Sequence, residues 1–235
     1  MRTFFAMHCI TRRNKNDNFY NKQLEELGYD EAIIPDSQMP NPRDIAQGQI
    51  DEPLIEKGKF QAKFLGTQAR EGQLNLKRIY CANQKRCIET ANIIAGELDY
   101  PVEIIVDERI NARSYGEIAK QGMDTDKLKH FWKYKIDFNT LKMIALYLAA
   151  PEKIGAEPKS DFKSRVESFI HDIKYDFDDS LIVAGSDVWG LVQDQNYFYS
   201  YKNEKTADLR RGQFAFIDFS REKEVSKSNQ SEQGK

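Results

Sequence analysis

His8 and Arg86 are the two residues whose type and position best suit chemistry on an anion. His8 follows Thr3-Phe4-Phe5-Ala6-Met7, an apolar run that reads as a short buried strand ending at a polar break. Arg86 falls in the first turn of a helix expected from about Gln84 to Leu98, where backbone N–H groups and the helix dipole favour a negative ligand. A third segment, Gly185-Ser186-Asp187, follows Ser180-Leu181-Ile182-Val183-Ala184, whose apolar run is the strongest buried-strand signal in the chain. Ligands of an open parallel α/β sheet bind beyond the carboxyl ends of its strands. These three segments are therefore expected at one edge, with His8 and Arg86 making a candidate phosphate site.

Other constellations are weaker. His8, Cys9 and Cys81 with Asp187 as fourth ligand form an imaginable metal set. Cys81 and Cys87 are explained more simply as small buried residues, so no metal and no cofactor is expected. His130 and His171 fall on expected helices and read as surface or satisfied histidines. The run Arg12-Arg13-Asn14-Lys15-Asn16 reads as solvated.

The elements that must position these residues follow an alternating order. After the first strand, residues 12 to 52 are polar, without sustained period, and hold Pro35, Pro40 and Pro42; loops of this length are usually functional or interaction segments. Pro53 is expected to open a helix whose inward face is Leu54, Gly58, Gln61, Ala62, Leu65 and Ala69, with Gly72 as its stop. A strand at 78 to 81, the helix carrying Arg86, and a strand at 102 to 106 come next. Residues 124 to 149 read as an aromatic-rich helical cap, with Phe131, Trp132, Tyr134, Phe138 and Tyr147 assigned to the core; exposed, they would mark a partner surface. Ser160 is the expected N-cap of a helix with Phe162, Val166, Phe169, Ile170 and Ile173 inward. The strand at 180 to 184, a helix from Val188 to Gln195 and a last strand at 213 to 219 complete the fold. Residues 221 to 235 are charged and read as a disordered tail. Such alternation predicts an α/β domain over 1 to 220, three layers deep, with a mostly parallel central sheet and helices on both faces.

Bulk properties narrow the function classes. The 235 residues suffice for one large domain. With 40% hydrophobic and 31% charged residues the chain is globular, and a net charge of −2 with a pI near 6.0 gives no bulk attraction to nucleic acid or anionic lipid. No apolar run reaches the roughly 18 residues of a membrane span, and no secretory signal is present. Three cysteines without a C-x-x-C pair fit a reducing compartment, the cytoplasm first, with mitochondria left open.

The order of motifs resembles the histidine phosphatase superfamily, which includes the cofactor-dependent phosphoglycerate mutases, over roughly residues 3 to 220. Asp51, Pro53, Leu54, Gly58, Gln61 and Ala62 match that family's Asp-x-Pro-Leu-x-x-x-Gly-x-x-Gln-Ala helix start, the most specific match in the chain. Arg86 and Thr90-Ala91 match the end of its Ser-Ser-Pro-x-x-Arg-x-x-x-Thr-Ala signature. Met7-His8-Cys9-Ile10-Thr11 and Asn14 stand where the family has Arg-His-Gly-x-Thr and a later Asn. The insert at 15 to 50 is similar to that of the eukaryotic phosphatase-like branch. The resemblance implies a phosphoglycerate mutase-like fold, His8 as the phosphorylated nucleophile, Arg86 as a phosphate ligand, and Asn14 near the substrate.

The same resemblance exposes three departures. Met7 stands where the first arginine belongs, Ala112 where the acid belongs, and Gly185 where the second histidine belongs. Arg12 or Arg13 as a substitute cation and Glu117 as a substitute acid are conceivable replacements; Asp187 could orient His8, but its charge would repel phosphate. The expectation is a degenerate site in a non-catalytic binding or structural subunit, with protein partners on the 15–50 insert and the 124–150 cap. A slow phosphomonoesterase using His8, and a phosphate-ester sensor using Arg86, are the alternatives.

Overall fold

The computed structural model describes residues 2–11, 51–120, 138–176, 178–194, 198–200, 213–217 and 219. Arg12, Arg13, Asn14, the 15–50 insert, His130, Phe131, Trp132, Tyr134 and the 221–235 tail lie outside the described residues. The described elements are β1 (Thr3–Met7), α1 (Glu56–Glu71), β2 (Leu76–Cys81), α2 (Lys85–Gly96), β3 (Glu103–Val106), the short α3 (Glu117–Lys120), α4 (Phe138–Ala149), α5 (Lys159–Ile173), β4 (Asp179–Ala184), α6 (Ser186–Asp194), β5 (Phe198–Ser200) and β6 (Phe214–Ile217), with single 3₁₀ turns at Glu108–Ile110 and Pro151–Ile154.

The six strands form one sheet in the order β3-β2-β4-β1-β6-β5. The first four are parallel, and β6 is antiparallel to both β1 and β5. Every residue of β1, and all of β4 but its first, is buried, as expected of strands covered on both faces. Paired residues share a face, so Phe5, Ile182 and Tyr80 line one side of the sheet. Phe5 packs on Trp189 of α6 with ring centres 5.0 Å apart, and Tyr80 meets Phe169 of α5 edge-on at 5.5 Å. The β1-α1-β2 and β2-α2-β3 crossovers run the other way along the sheet, and the right-handed rule puts α1 and α2, which pack on each other, on the opposite face. The result is a three-layer α/β/α fold.

Several local expectations move by a few residues, each for a visible reason. Pro53 precedes α1 rather than opening it. Residues 51–55 stay out of the helix because Leu54 bridges Thr11 antiparallel and the extended Ile55 gives its N–H to the Ile10 carbonyl at 3.2 Å, while the Leu54 N–H donates to Glu89 Oε2 at 2.7 Å. Ser160 is not the N-cap of α5. Pro158 takes that position with extended backbone, its carbonyl accepts from the Phe162 N–H, and the Ser160 hydroxyl turns to Asp161 instead. In the cap only Phe138–Ala149 is described as helix, and its aromatics divide. Tyr147 stacks on Tyr115 at 5.6 Å, but Phe138 is 79% exposed, with Leu141 and Leu148 exposed along the same side of α4. His171 is on the surface, its ring against Tyr175.

One close approach fixes how α1 meets the first loop. A Cβ on Gly58 would drive into the Ile10 carbonyl oxygen and lie 3.0 Å from the Ile10 nitrogen, both main-chain atoms that cannot move aside alone. Gly58→Ala should therefore cost about 3 kcal/mol or more of unfolding free energy, the upper range for overpacking, read as a lowered midpoint in urea.

Candidate functional site

The parallel register delivers the three segments to one edge. Met7 pairs with Ala184 and Cys81 with Val183, so His8, Ala82 and Gly185 are the first residues beyond their strands. Two further main-chain bonds extend this pairing past the sheet: the His8 N–H donates to the Ala184 carbonyl at 3.0 Å, and the Ala82 N–H to the Val183 carbonyl at 3.1 Å. His8 and Arg86 are thereby brought to the same end of the same sheet.

His8 is 4% exposed, and its Nδ1 lies 2.9 Å from the Cys9 carbonyl oxygen. A carbonyl can only accept, so Nδ1 carries the proton in this bond. Arg86 is 1% exposed and is the largest fully buried side chain among the described residues. Thr90 joins the two motifs. Its Oγ1 accepts from the Cys9 N–H at 3.0 Å and donates to the Arg86 carbonyl at 2.7 Å, so one hydroxyl ties the loop after β1 to the first turns of α2.

The segment before α1 braces the same helix. Asp51 Oδ1 accepts from the Lys85 N–H at 2.6 Å, supplying from outside the helix the acceptor that its first turn lacks, since Gln84 gives no side-chain cap. The loop after β3 closes on it too. Asn111 Oδ1 accepts from the Asn83 N–H at 2.7 Å, and the buried Gln84 amide accepts from the Ala112 N–H at 3.4 Å. Arg165 of α5 holds that loop from behind, bonding the Arg109 carbonyl at 2.6 Å while paired with Glu157.

The departures cluster. Ala112 is buried, and its Cβ lies 3.8 Å from where a side chain at Gly185 would begin. Asp187 Oδ1 lies 2.6 Å from that same point. A carboxylate thus stands where any side chain at position 185 would have to pass. Its Oδ2 accepts from the Arg113 N–H at 2.6 Å, and Oδ1 accepts from the Val188 N–H at 3.0 Å. Burial holds the Asp187 carboxyl above the usual carboxylate range, against the pull of those two N–H groups and of the Arg86 guanidinium. Met7 is buried and belongs to the apolar core. Glu117 is exposed at the start of α3.

The cysteines are free and buried. Burial pushes the Cys81 thiol up to about 11 and the Cys87 thiol up to about 12, so both stay protonated and unreactive at neutral pH. Among the described residues no group of three His, Cys, Asp or Glu side chains converges as metal ligands would, and no described helix is long and apolar enough to cross a membrane. Sequence reasoning missed Thr90 as the link between motifs, Gln84 and Asn111 as the clamp on Ala112, and Arg165 as its support. Only the Thr90-Ala91 match hinted at the first.

Against known proteins, the family model described as histidine phosphatase superfamily (branch 1) matches residues 37–192. The chain belongs to the histidine phosphatase superfamily. The matched stretch takes in Asp51 to Ala62, Arg86, Ala112 and Gly185, and begins after His8. A Schizosaccharomyces pombe protein named as a probable phosphatase is 36% identical over 89 residues, 38% of this chain and 40% of its own length. A Candida albicans phosphoglycerate mutase is 28% identical over 181 residues, 75% of this chain and 66% of its own. The chain thus spans less than two thirds of each of these relatives. The fold is shared with α-ribazole phosphatase from Shigella flexneri (TM-score 0.62, 18% identity, 93% of this chain and 90% of that one). It is shared as well with phosphoglycerate mutase from Bacillus anthracis (TM-score 0.57, 17% identity, 93% and 91%).

Two substitutions test how the superfamily scaffold is held here. Thr90→Val should lower stability by about 1–3 kcal/mol in a denaturant titration, because it strands the buried Cys9 N–H, whereas Thr90→Ser should recover most of it. Asp107, on the loop that carries Ala112, is pushed up by burial but pulled further down by hydrogen bonds from the Arg109 guanidinium and N–H, so it titrates below an ordinary aspartate. The unfolded chain then takes up the proton first, so this contribution is intact at neutral pH and is lost as pH falls through the folded carboxyl's titration. Asp107→Asn should be less stable than wild type at pH 7, with the gap narrowing as pH falls below the ordinary aspartate range in pH-dependent melts.

Proposed function

We propose that this chain is a superfamily member without phosphoryl-transfer activity, serving as a binding or structural subunit of a larger assembly. The observation that carries this reading is the Asp187 carboxylate, 2.6 Å from the root of any side chain at Gly185, where the family's second histidine belongs. A histidine cannot return there without displacing Asp187, and Ala112 offers no acid beside it. Phosphoryl transfer depends on charge stabilisation around the phosphate. One missing preorganised donor costs roughly 10²–10³ in rate, and a missing general acid roughly 10²–10⁴. These losses need not multiply, since such groups act as a unit. Met7, Ala112 and Gly185 together remove two donors and the acid. Asp187, held by the Arg113 and Val188 N–H groups, supplies no positive charge in their place.

Partner binding has its own support. Phe138, Leu141 and Leu148 form an exposed apolar stripe on α4, the kind of surface that marks protein contacts. Three free thiols suit a reducing compartment, so we place the protein inside the cell.

One observation favours a second reading. The His8 Nδ1–H is held on the Cys9 carbonyl, the ring orientation that a slow phosphomonoesterase attacking through Nε2, with Arg86 as phosphate ligand, would need. Turnover decides between them. Purified full-length protein, offered aryl phosphates, sugar phosphates and phosphoglycerates, should release phosphate no faster than its His8→Ala variant. An enzyme-like rate abolished by His8→Ala, with a trappable phosphohistidine, would overturn the proposal.

A further inference from the structure

The cap has a core of its own. Ile118, Ile144, Ile154 and Ala156 form an apolar cluster with Tyr115 and Tyr147 packed against it, and none of the six belongs to the core that covers the sheet. The chain enters and leaves this cluster through one narrow neck. There the Glu157 N–H donates to the Ser114 carbonyl at 3.0 Å, the Ser114 hydroxyl donates to the Gly155 carbonyl at 3.2 Å, and Tyr115 bridges Ala156 antiparallel. Gly116 and Gly155, one on each side of the neck, take left-handed backbone with φ of +55° and +67°. A Cβ on Gly116 would meet the Ile154 carbonyl oxygen and lie 2.6 Å from the Ala156 nitrogen, so the two chain segments touch main chain to main chain. Below the neck both segments are tied to the body of the domain, the Arg113 N–H to Asp187 of α6 at 2.6 Å and the Glu157 carboxylate to Arg165 of α5 at 2.6 Å. One side chain spans the joint. The Arg113 guanidinium donates to the Glu157 carbonyl and to the Tyr147 hydroxyl, both at 2.8 Å, and its carbon lies 4.8 Å from the centre of the Tyr147 ring.

We propose that the cap, made of Tyr115–Lys120, α4 and the turn that ends at Ala156, is a separate cooperative unit that opens while the sheet stays folded, and that Arg113 is the latch that holds it shut. Few apolar side chains fill its cluster, so breaking it exposes far less apolar surface than unfolding the sheet, and the opening costs correspondingly less. Arg113 is placed to set that cost, because its main chain is fixed to the body and its guanidinium to α4. The outward residues of α4, Phe138, Leu141 and Leu148, ride on this unit, so the surface they make exists only while the latch is closed. The inference does not depend on whether the chain turns over phosphate.

Native-state hydrogen exchange of the full chain, read peptide by peptide in a mass spectrometer, tests this. In wild type the amides of α4 and of 151–156 should share one level of protection, about 100-fold or more below that of β1 and β4. Tyr147→Phe keeps the ring but removes the hydroxyl that accepts from Arg113, and should lower cap protection about 3- to 10-fold; Arg113→Ala should lower it about 10- to 100-fold. Ile182→Val, a change in the buried centre of β4, should lower β4 protection about 2- to 10-fold and leave the cap as it was, because the sheet is intact in the opened state. Wild-type cap amides as protected as those of β4, or not protected at all, overturn the proposal. So does an Ile182→Val variant that loosens cap and β4 equally, since the cap then opens only when the whole domain unfolds. Folded latch variants with wild-type cap protection overturn the role of Arg113. If Arg113→Ala does not fold, the wild-type comparison, Tyr147→Phe and Ile182→Val still decide. Phosphate release that depends on His8 sinks the non-catalytic reading and leaves this inference standing.

Discussion

A guanidinium at 1% exposure is the constraint around which this end of the molecule is organised. Burying a charge is costly unless polar partners surround it, and truncating one side of such an arrangement leaves an uncompensated charge. The helix that carries Arg86 is fastened through its main chain. Asp51 and Thr90 fasten it from two directions. Asn111 and Gln84 seal the loop across the top. Asp187 closes the same edge from beyond β4, holding the Arg113 N–H at 2.6 Å.

The motif residues have mechanical roles that do not depend on chemistry at the site. Gly58 lets α1 approach the backbone of the first loop, Leu54 and Ile55 stitch the segment before α1 to Glu89 and Ile10, and Thr90 clasps the two halves of the site. Each such residue is needed to fold the edge of the sheet whether or not phosphate is turned over there. The three departures, by contrast, fall on positions that need only fill space. Met7 joins the core, Ala112 is small and buried, and Gly185 makes room for Asp187. This division between scaffold and chemistry is what a repurposed enzyme domain would keep and lose.

Much of the fold was legible in the sequence because it is local. Uninterrupted apolar runs gave β1 and β4, and 3.6-residue spacing gave the inward faces of α1 and α5. The misplaced boundaries have tertiary causes. Pro53 suits a helix start by itself, yet two N–H groups just after it are claimed by Glu89 and Ile10. Ser160 is a good cap by type, but Pro158 already turns the chain. The aromatics of the cap looked like core by composition, and Phe138 is on the surface because helical phase, not composition, decides which side faces inward.

The sequence by itself determined the family, the order of the elements, the edge that His8 and Arg86 share, and the residue types at positions 7, 112 and 185, since all of these are written in residue type and spacing. Only the tertiary structure decided what surrounds those three positions. Asp187 and Ala112 are 75 positions apart in the chain and converge at Gly185 because β3, which leads to Ala112, and β4, which leads to Asp187, both run parallel to β2 and end at the same edge. Whether position 185 has room for a larger side chain depends on where Asp187 and Ala112 are held, and those positions exist only once the chain is folded.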